Sequence, residues 1–123
     1  GQASNMIKFA PKAQLSAIVN NWGAYYVERT KAMMGGSWKS QDVWYGLKEG
    51  MVEMAPYTNM PDDVAALANK TEENIRNGNL HPFTGPIKDQ SGKIVVEAGK
   101  VAEAGMLLGM NFYVEGVQGS LPK

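Results

Sequence analysis

What most constrains the fold is the passage from Leu15 to Gly36, where the apolar pattern changes period within two residues. Leu15-Ser16-Ala17-Ile18-Val19 is a short apolar run with β-branched members, preceded by Pro11 and ended by Asn20-Asn21, and it reads as a buried strand. Beyond it, Tyr26, Thr30, Met33 and Met34 fall at i, i+4, i+7 and i+8, the spacing of one helical face. Asn21 is placed to cap this helix and Gly35-Gly36 to stop it. A strand feeding directly into a helix points to a mixed α/β chain.

The rest of the chain extends that reading. Val43, Tyr45 and Leu47 alternate with Trp44 and Gly46, which predicts a strand over residues 43–48. Met51 to Ala55 either continues it past a bend at Gly50 or forms a second short strand. The strongest helical signal follows: Pro61 and Asp62-Asp63 suit a first turn, Val64, Leu67, Ala68, Thr71 and Ile75 make one stripe, and Gly78 ends it. Residues 86–89 and 93–97 flank Gln90-Ser91-Gly92 as a predicted hairpin. Residues 98–109 hold no sustained period, and Met110 to Val114 reads as one more short strand. About three helices and four to six short strands are expected.

Composition narrows the chemistry. The 123 residues include no Cys, one His, and twelve Lys+Arg against twelve Asp+Glu. Without cysteine there is no disulfide framework, thiolate metal site or cysteine nucleophile. The single histidine, His81, leaves a Ser-His-Asp triad or a two-His metal site without advertised partners, and a loop histidine bonded to backbone is its plainer reading. A formal net charge of zero lacks the electrostatic footprint of a nucleic-acid binder. No apolar run approaches the roughly 18 residues that span a bilayer. Gly35-Gly36 and Gly116-Gly119 lack the spacing of a phosphate cradle, Asp62-Asp63 read as helix-start acids, and Asn69-Lys70-Thr71 lies inside a predicted helix. No nucleophile, base and orienting residue can be nominated together, so no enzyme is expected.

One constellation stands out: Ser4-Asn5 in one loop and Asn20-Asn21-Trp22 in another. If the chain before Gly1 ends a parallel strand, both loops lie at the carboxyl ends of neighbouring strands, where open α/β sheets place ligands. Asparagine amides both donate and accept, matching the edge of a purine, and an indole stacks on a base. The plainer reading has Asn21 capping a helix and Trp22 packing on the core.

Five blocks of the sequence add a resemblance. Phe9-Ala10-Pro11-Lys12-Ala13-Gln14-Leu15, Asn20-Asn21-Trp22-Gly23-Ala24-Tyr25-Tyr26, Gly36-Ser37-Trp38, Trp44 to Gly50, and Leu80-His81-Pro82-Phe83-Thr84-Gly85-Pro86-Ile87 occur in the order found in the basic membrane protein family. That family comprises substrate-binding proteins of ABC importers, many of which bind purine nucleosides or nucleobases. The resemblance implies the fold of a type I periplasmic binding protein, two α/β lobes with ligand between them. It further implies that this chain, which opens at Gly1 without an initiator Met, corresponds to the carboxyl-terminal third, contributing to both lobes and forming no complete lobe alone. The implied ligand-binding residues are Ser4, Asn5, Asn20 and Trp22, with Asn5 where an acidic residue commonly stands and Asn20 where some members carry lysine; Trp22 either stacks a base or supports the hinge. The implied function is non-catalytic capture of a purine nucleoside or nucleobase, with no metal or cofactor, for the membrane subunits of an importer, in the periplasm or anchored outside the cytoplasmic membrane. The alternative is a chain that binds no ligand and associates with itself through uncovered strand edges.

Overall fold

The computed structural model describes residues 1–122. The chain divides into two compact units, Gly1–Asn79 and the residues from Leu80 onward.

The first unit holds β1 (Gln2–Ala3), β2 (Ile18–Asn20), α1 (Trp22–Met34), β3 (Val52–Met54) and α2 (Asp62–Arg76). Its sheet runs β1-β2-β3. β1 and β2 are parallel, with Gln2 opposite Ile18 and Ala3 opposite Val19. β3 is antiparallel to β2, with Ile18, Val19 and Asn20 facing Met54, Glu53 and Val52. The predicted strand over residues 15–19 is therefore shifted toward its carboxyl end. Its first half still lies along the chain that follows β3, because Ala55 N donates to Ala17 O at 2.8 Å and Thr58 N to Leu15 O at 2.8 Å.

Both helices fall where the apolar period placed them. α1 ends at Met34 and is capped by Gly35, whose N–H donates to Lys31 O. α2 follows Pro61, carries Asp62 and Asp63 in its first turn and Arg76 in its last, and thus complements its dipole at both ends. Asn21 precedes α1 but makes no side-chain cap; its amide is spent elsewhere, as described below.

The strand expected over residues 43–48 does not form. Period-two alternation makes a strand only where a neighbour offers its backbone, and no strand pairs with this segment among the described residues. A turn over residues 47–50 replaces it. Glu49 Oε2 accepts from Gly46 N at 2.8 Å, Met51 N donates to Gly46 O, and Gly50 takes φ +73°. β3 is thus a separate short strand, one of the two readings left open by the sequence.

The second unit is built on the expected hairpin, β4 (Ile87–Lys88) against β5 (Ile94–Val96). Asp89 shapes its turn: Oδ1 accepts from Ser91 N at 2.8 Å, Ser91 Oγ at 2.6 Å and Lys93 N at 3.1 Å, an Asx-type turn. A short helix, α3 (Ala104–Leu108), lies in the stretch that showed no period. The strand expected at residues 110–114 reduces to a bridge between Val114 and Asp89, flanked by Gln90 N to Tyr113 O and Glu115 N to Lys88 O.

Burial is shallow. Ala17, Ala55, Val96 and Ala102 are the buried hydrophobic residues, and three alanines contribute little apolar area. No residue of α1 or α2 is buried, and Met34 is 84% exposed. Trp38 and Trp44 are exposed as well. Among the described residues no helix is long and apolar enough to cross a membrane.

Candidate functional site at the carboxyl edge of the sheet

The parallel pairing of β1 with β2 fixes where the candidate residues lie. Since Ala3 faces Val19, the chain leaves both strands at the same sheet edge, Ser4-Asn5 from β1 and Asn20-Asn21 from β2. β3 runs the other way, so its amino end joins this edge, with Asn20 opposite Val52 and Asn21 N donating to Met51 O at 2.8 Å. Ser4, Asn5 and Asn20 are all exposed there. Ala3 turns the chain out of β1 with φ +60°, a conformation that L-residues other than Asn, Asp and Gly seldom take.

Trp22 opens α1 one residue further on. Its ring stacks on Tyr26 at 5.8 Å and 20°, and meets Tyr25 edge-on at 6.1 Å. The i, i+3, i+4 geometry of the helix dictates this cluster. One indole face therefore supports the start of α1, while the residue stays 45% exposed.

Several residues of this edge escaped the sequence reading. A groove of about 260 Å3 is lined by Asn21, Tyr25, Glu28, Tyr45, Glu49 and Met51, among others. Asn21, Tyr25 and Glu28 share a helical face at i, i+4 and i+7, a signal present in the sequence. Tyr45 and Glu49 come from the segment expected to be a strand, and only the turn that replaces it brings them here; Tyr45 lies edge-on to Tyr25 at 6.3 Å. The volume falls below the roughly 300–1,000 Å3 typical of small-molecule pockets, so this groove does not by itself enclose a ligand. Asn21 Nδ2 donates to Glu53 Oε1 at 2.9 Å, which joins α1 to β3.

Elsewhere the chemistry is structural. His81 Nδ1 accepts from Phe83 N at 3.3 Å, and Thr84 N and Oγ1 both donate to His81 O. Asn69 sits within α2 and donates to Ala65 O. Among the described residues no group of three or more His, Asp or Glu is arranged to hold a metal ion.

The edge thus presents amide side chains and an indole at the carboxyl ends of parallel strands, the place where open α/β sheets hold ligands. Residues 1–91 match the family Bmp, described as ABC transporter substrate-binding protein PnrA-like. The chain belongs to that family. It is 59% identical over 123 residues to a purine-binding protein of Brucella abortus (strain 2308), an alignment that takes in all of this chain and 35% of that protein. The fold is shared with the crystal structure of a transcriptional activator of the comK gene from Bacillus halodurans. That match has a TM-score of 0.56 at 18% identity and covers 67% of this chain and 29% of the other.

Proposed function

We propose that the chain forms part of a substrate-binding protein that captures a purine nucleoside or nucleobase and delivers it to the membrane subunits of an ABC importer, outside the cytoplasmic membrane. The observation that carries this reading is the parallel register of β1 and β2, which sets Ser4, Asn5 and Asn20 at one sheet edge beside Trp22, in a family of substrate-binding proteins. The purine-binding relative supports the ligand class. Ser4, Asn5 and Asn20 would bond the polar edge of the base, and the free indole surface of Trp22 would contact its face. The two units would contribute to both lobes, with ligand held between the lobes by hinge closure and no covalent chemistry. Selectivity then comes from hydrogen bonds and affinity from burial of the base.

The test is calorimetric titration of the natural polypeptide that carries residues 1–123 with hypoxanthine, adenine, inosine and adenosine. Saturable binding of at least one, with a matching rise in Tm, is expected, since a ligand that binds only the folded state stabilises it. No heat and no Tm shift with any of the four would sink the reading.

A second reading is favoured by the uncovered apolar faces, notably Met33 at 60%, Met34 at 84% and Leu67 at 65% exposure. On that reading the 123-residue chain alone associates with itself, which concentration-dependent sedimentation in the absence of purine would detect.

A further inference from the structure

The sequence contains a single Asn-Gly step, Asn77-Gly78, and every other asparagine is followed by a residue that carries a side chain. The step falls at the end of α2, and both of its residues are exposed. Asn77 is the C-cap at φ −83° and ψ −3°, and Gly78 follows with φ +75°. Gly78 N donates to Ile75 O at 3.1 Å and Asn79 N to Asn74 O at 2.8 Å, which together close a Schellman motif. Its left-handed residue calls for glycine. Asn77 contributes to the cap through its backbone, whose N–H donates to Glu73 O at 2.9 Å.

The helix end thereby carries a reactive pair. A backbone nitrogen whose own residue has no side chain is the least hindered nucleophile for the carbonyl carbon of the preceding side-chain amide. A Cβ built on Gly78 would meet nothing within 4 Å, so the step is open to water. In the closed cap, however, the Gly78 nitrogen keeps its proton in the bond to Ile75 O, and attack requires that proton to leave. Reaction therefore waits on fraying of the last turn, where helices open most readily.

We propose that Asn77 is a site of spontaneous deamidation whose rate is set by opening of the α2 cap. Hydroxide removes the Gly78 N–H proton, the nitrogen bonds to Asn77 Cγ, and the Cγ–Nδ2 bond breaks with loss of ammonia, leaving a cyclic succinimide. Water then opens the ring. Attack at Cγ gives aspartate; attack at the main-chain carbonyl gives isoaspartate, with the backbone rerouted through Cβ and Cγ. Either product sets a carboxylate at the negative end of α2, one turn from Glu73, and isoaspartate also lengthens the chain inside the cap. Both weaken the helix end, and refolding reverses neither.

The test incubates the natural polypeptide carrying residues 1–123 at mildly alkaline pH, folded and in guanidinium chloride, beside Asn77→Gln and Asn79→Pro. Products are mapped by peptide mass and by isoaspartyl-specific methylation. The folded wild type is expected to gain about 1 Da in the peptide that holds Asn77, with isoaspartate the main product. Guanidinium should speed the reaction roughly tenfold. Asn79→Pro deletes the N–H that bonds Asn74 O, so it should speed the folded reaction and leave the denatured rate unchanged. Asn77→Gln, which would have to close a larger ring, should show no gain at that position. No gain in the folded wild type while the denatured chain reacts would overturn the site. A folded rate equal to the denatured one, or unmoved by Asn79→Pro, would overturn control by the cap.

Discussion

Asn21 Nδ2 bonds Glu53 Oε1 at 2.9 Å, so the residue that precedes α1 is tied to the middle of β3 instead of capping its own helix. The two roles respond oppositely to substitution. At a true cap, Asn21→Asp would be neutral or favourable, since aspartate is as good a cap as asparagine and suits the positive end of the helix. Here it sets two carboxylates against each other. Asn21→Asp is expected to destabilise the chain by about 1 kcal/mol in denaturant titration, and Asn21→Asp with Glu53→Gln to restore most of it. An Asn21→Asp variant as stable as the wild type would show that the bond to Glu53 carries no weight.

The strained residue at the candidate site gives a second expectation. Ala3 leaves β1 at φ +60°, where a Cβ costs roughly 1–2 kcal/mol, against the roughly 0.5–1 kcal/mol of chain entropy that glycine loses on folding. Ala3→Gly is expected to raise stability by about 0.5 kcal/mol and to leave the β1–β2 register intact, measured by denaturation midpoint. A loss of stability would mean that the turn into Ser4-Asn5 is not under strain.

Tyr57 gives an alkaline signature. Burial, and then the charge of Glu72 and the 3.2 Å hydrogen bond to it, raise the Tyr57 pKa above the usual 10.0. The unfolded chain ionises first as pH rises, so this contribution is fully present below pH 10.0 and is lost as pH climbs through the higher folded value. Tyr57→Phe should flatten the alkaline decline of Tm; an identical decline in both proteins would contradict the assignment.

Asp89 works in the opposite direction in the hairpin. The Ser91 hydroxyl bond lowers its pKa below 3.8, with the backbone N–H groups of Lys93 and Ser91 and the nearby Lys93 charge acting in the same direction against the opposing effect of desolvation. The turn's stabilisation is therefore complete above pH 3.8 and disappears as pH falls through the lower folded value. Amide exchange at Ser91 and Lys93 should accelerate relative to the chain's intrinsic rates over that acid range in the wild type. Asp89→Ala should already show the faster exchange near neutrality, and equal protection in both would sever the turn from the carboxylate.

Local signals were legible where local physics decides. The stripe from Val64 to Ile75 behind Pro61 gave α2, and Gln90-Ser91-Gly92 between apolar runs gave the hairpin, because helix periodicity and turn chemistry act over a few residues. Residues 43–48 misled because alternation describes a strand's faces but not whether a partner strand exists. The candidate edge was legible as Ser4, Asn5, Asn20 and Trp22, and the parallel register needed to bring the first three together is present. The contact of Gln14 with Asn5 was not legible. It depends on the Gln14 amide turning its oxygen to Met6 N and its NH2 to Asn5, a relationship across 9 residues that no spacing rule encodes. The groove tyrosine Tyr45 was hidden for the same reason that the strand was wrongly expected.

We propose that purine binds at the edge formed by the ends of β1 and β2. It is tested most directly by following the side-chain amide signals of Asn5 and Asn20 and the indole N–H of Trp22 in nitrogen–proton spectra of the natural polypeptide as hypoxanthine is added. All three are expected to shift together and saturably. Saturable binding that leaves all three unmoved, or the absence of any binding, would contradict it.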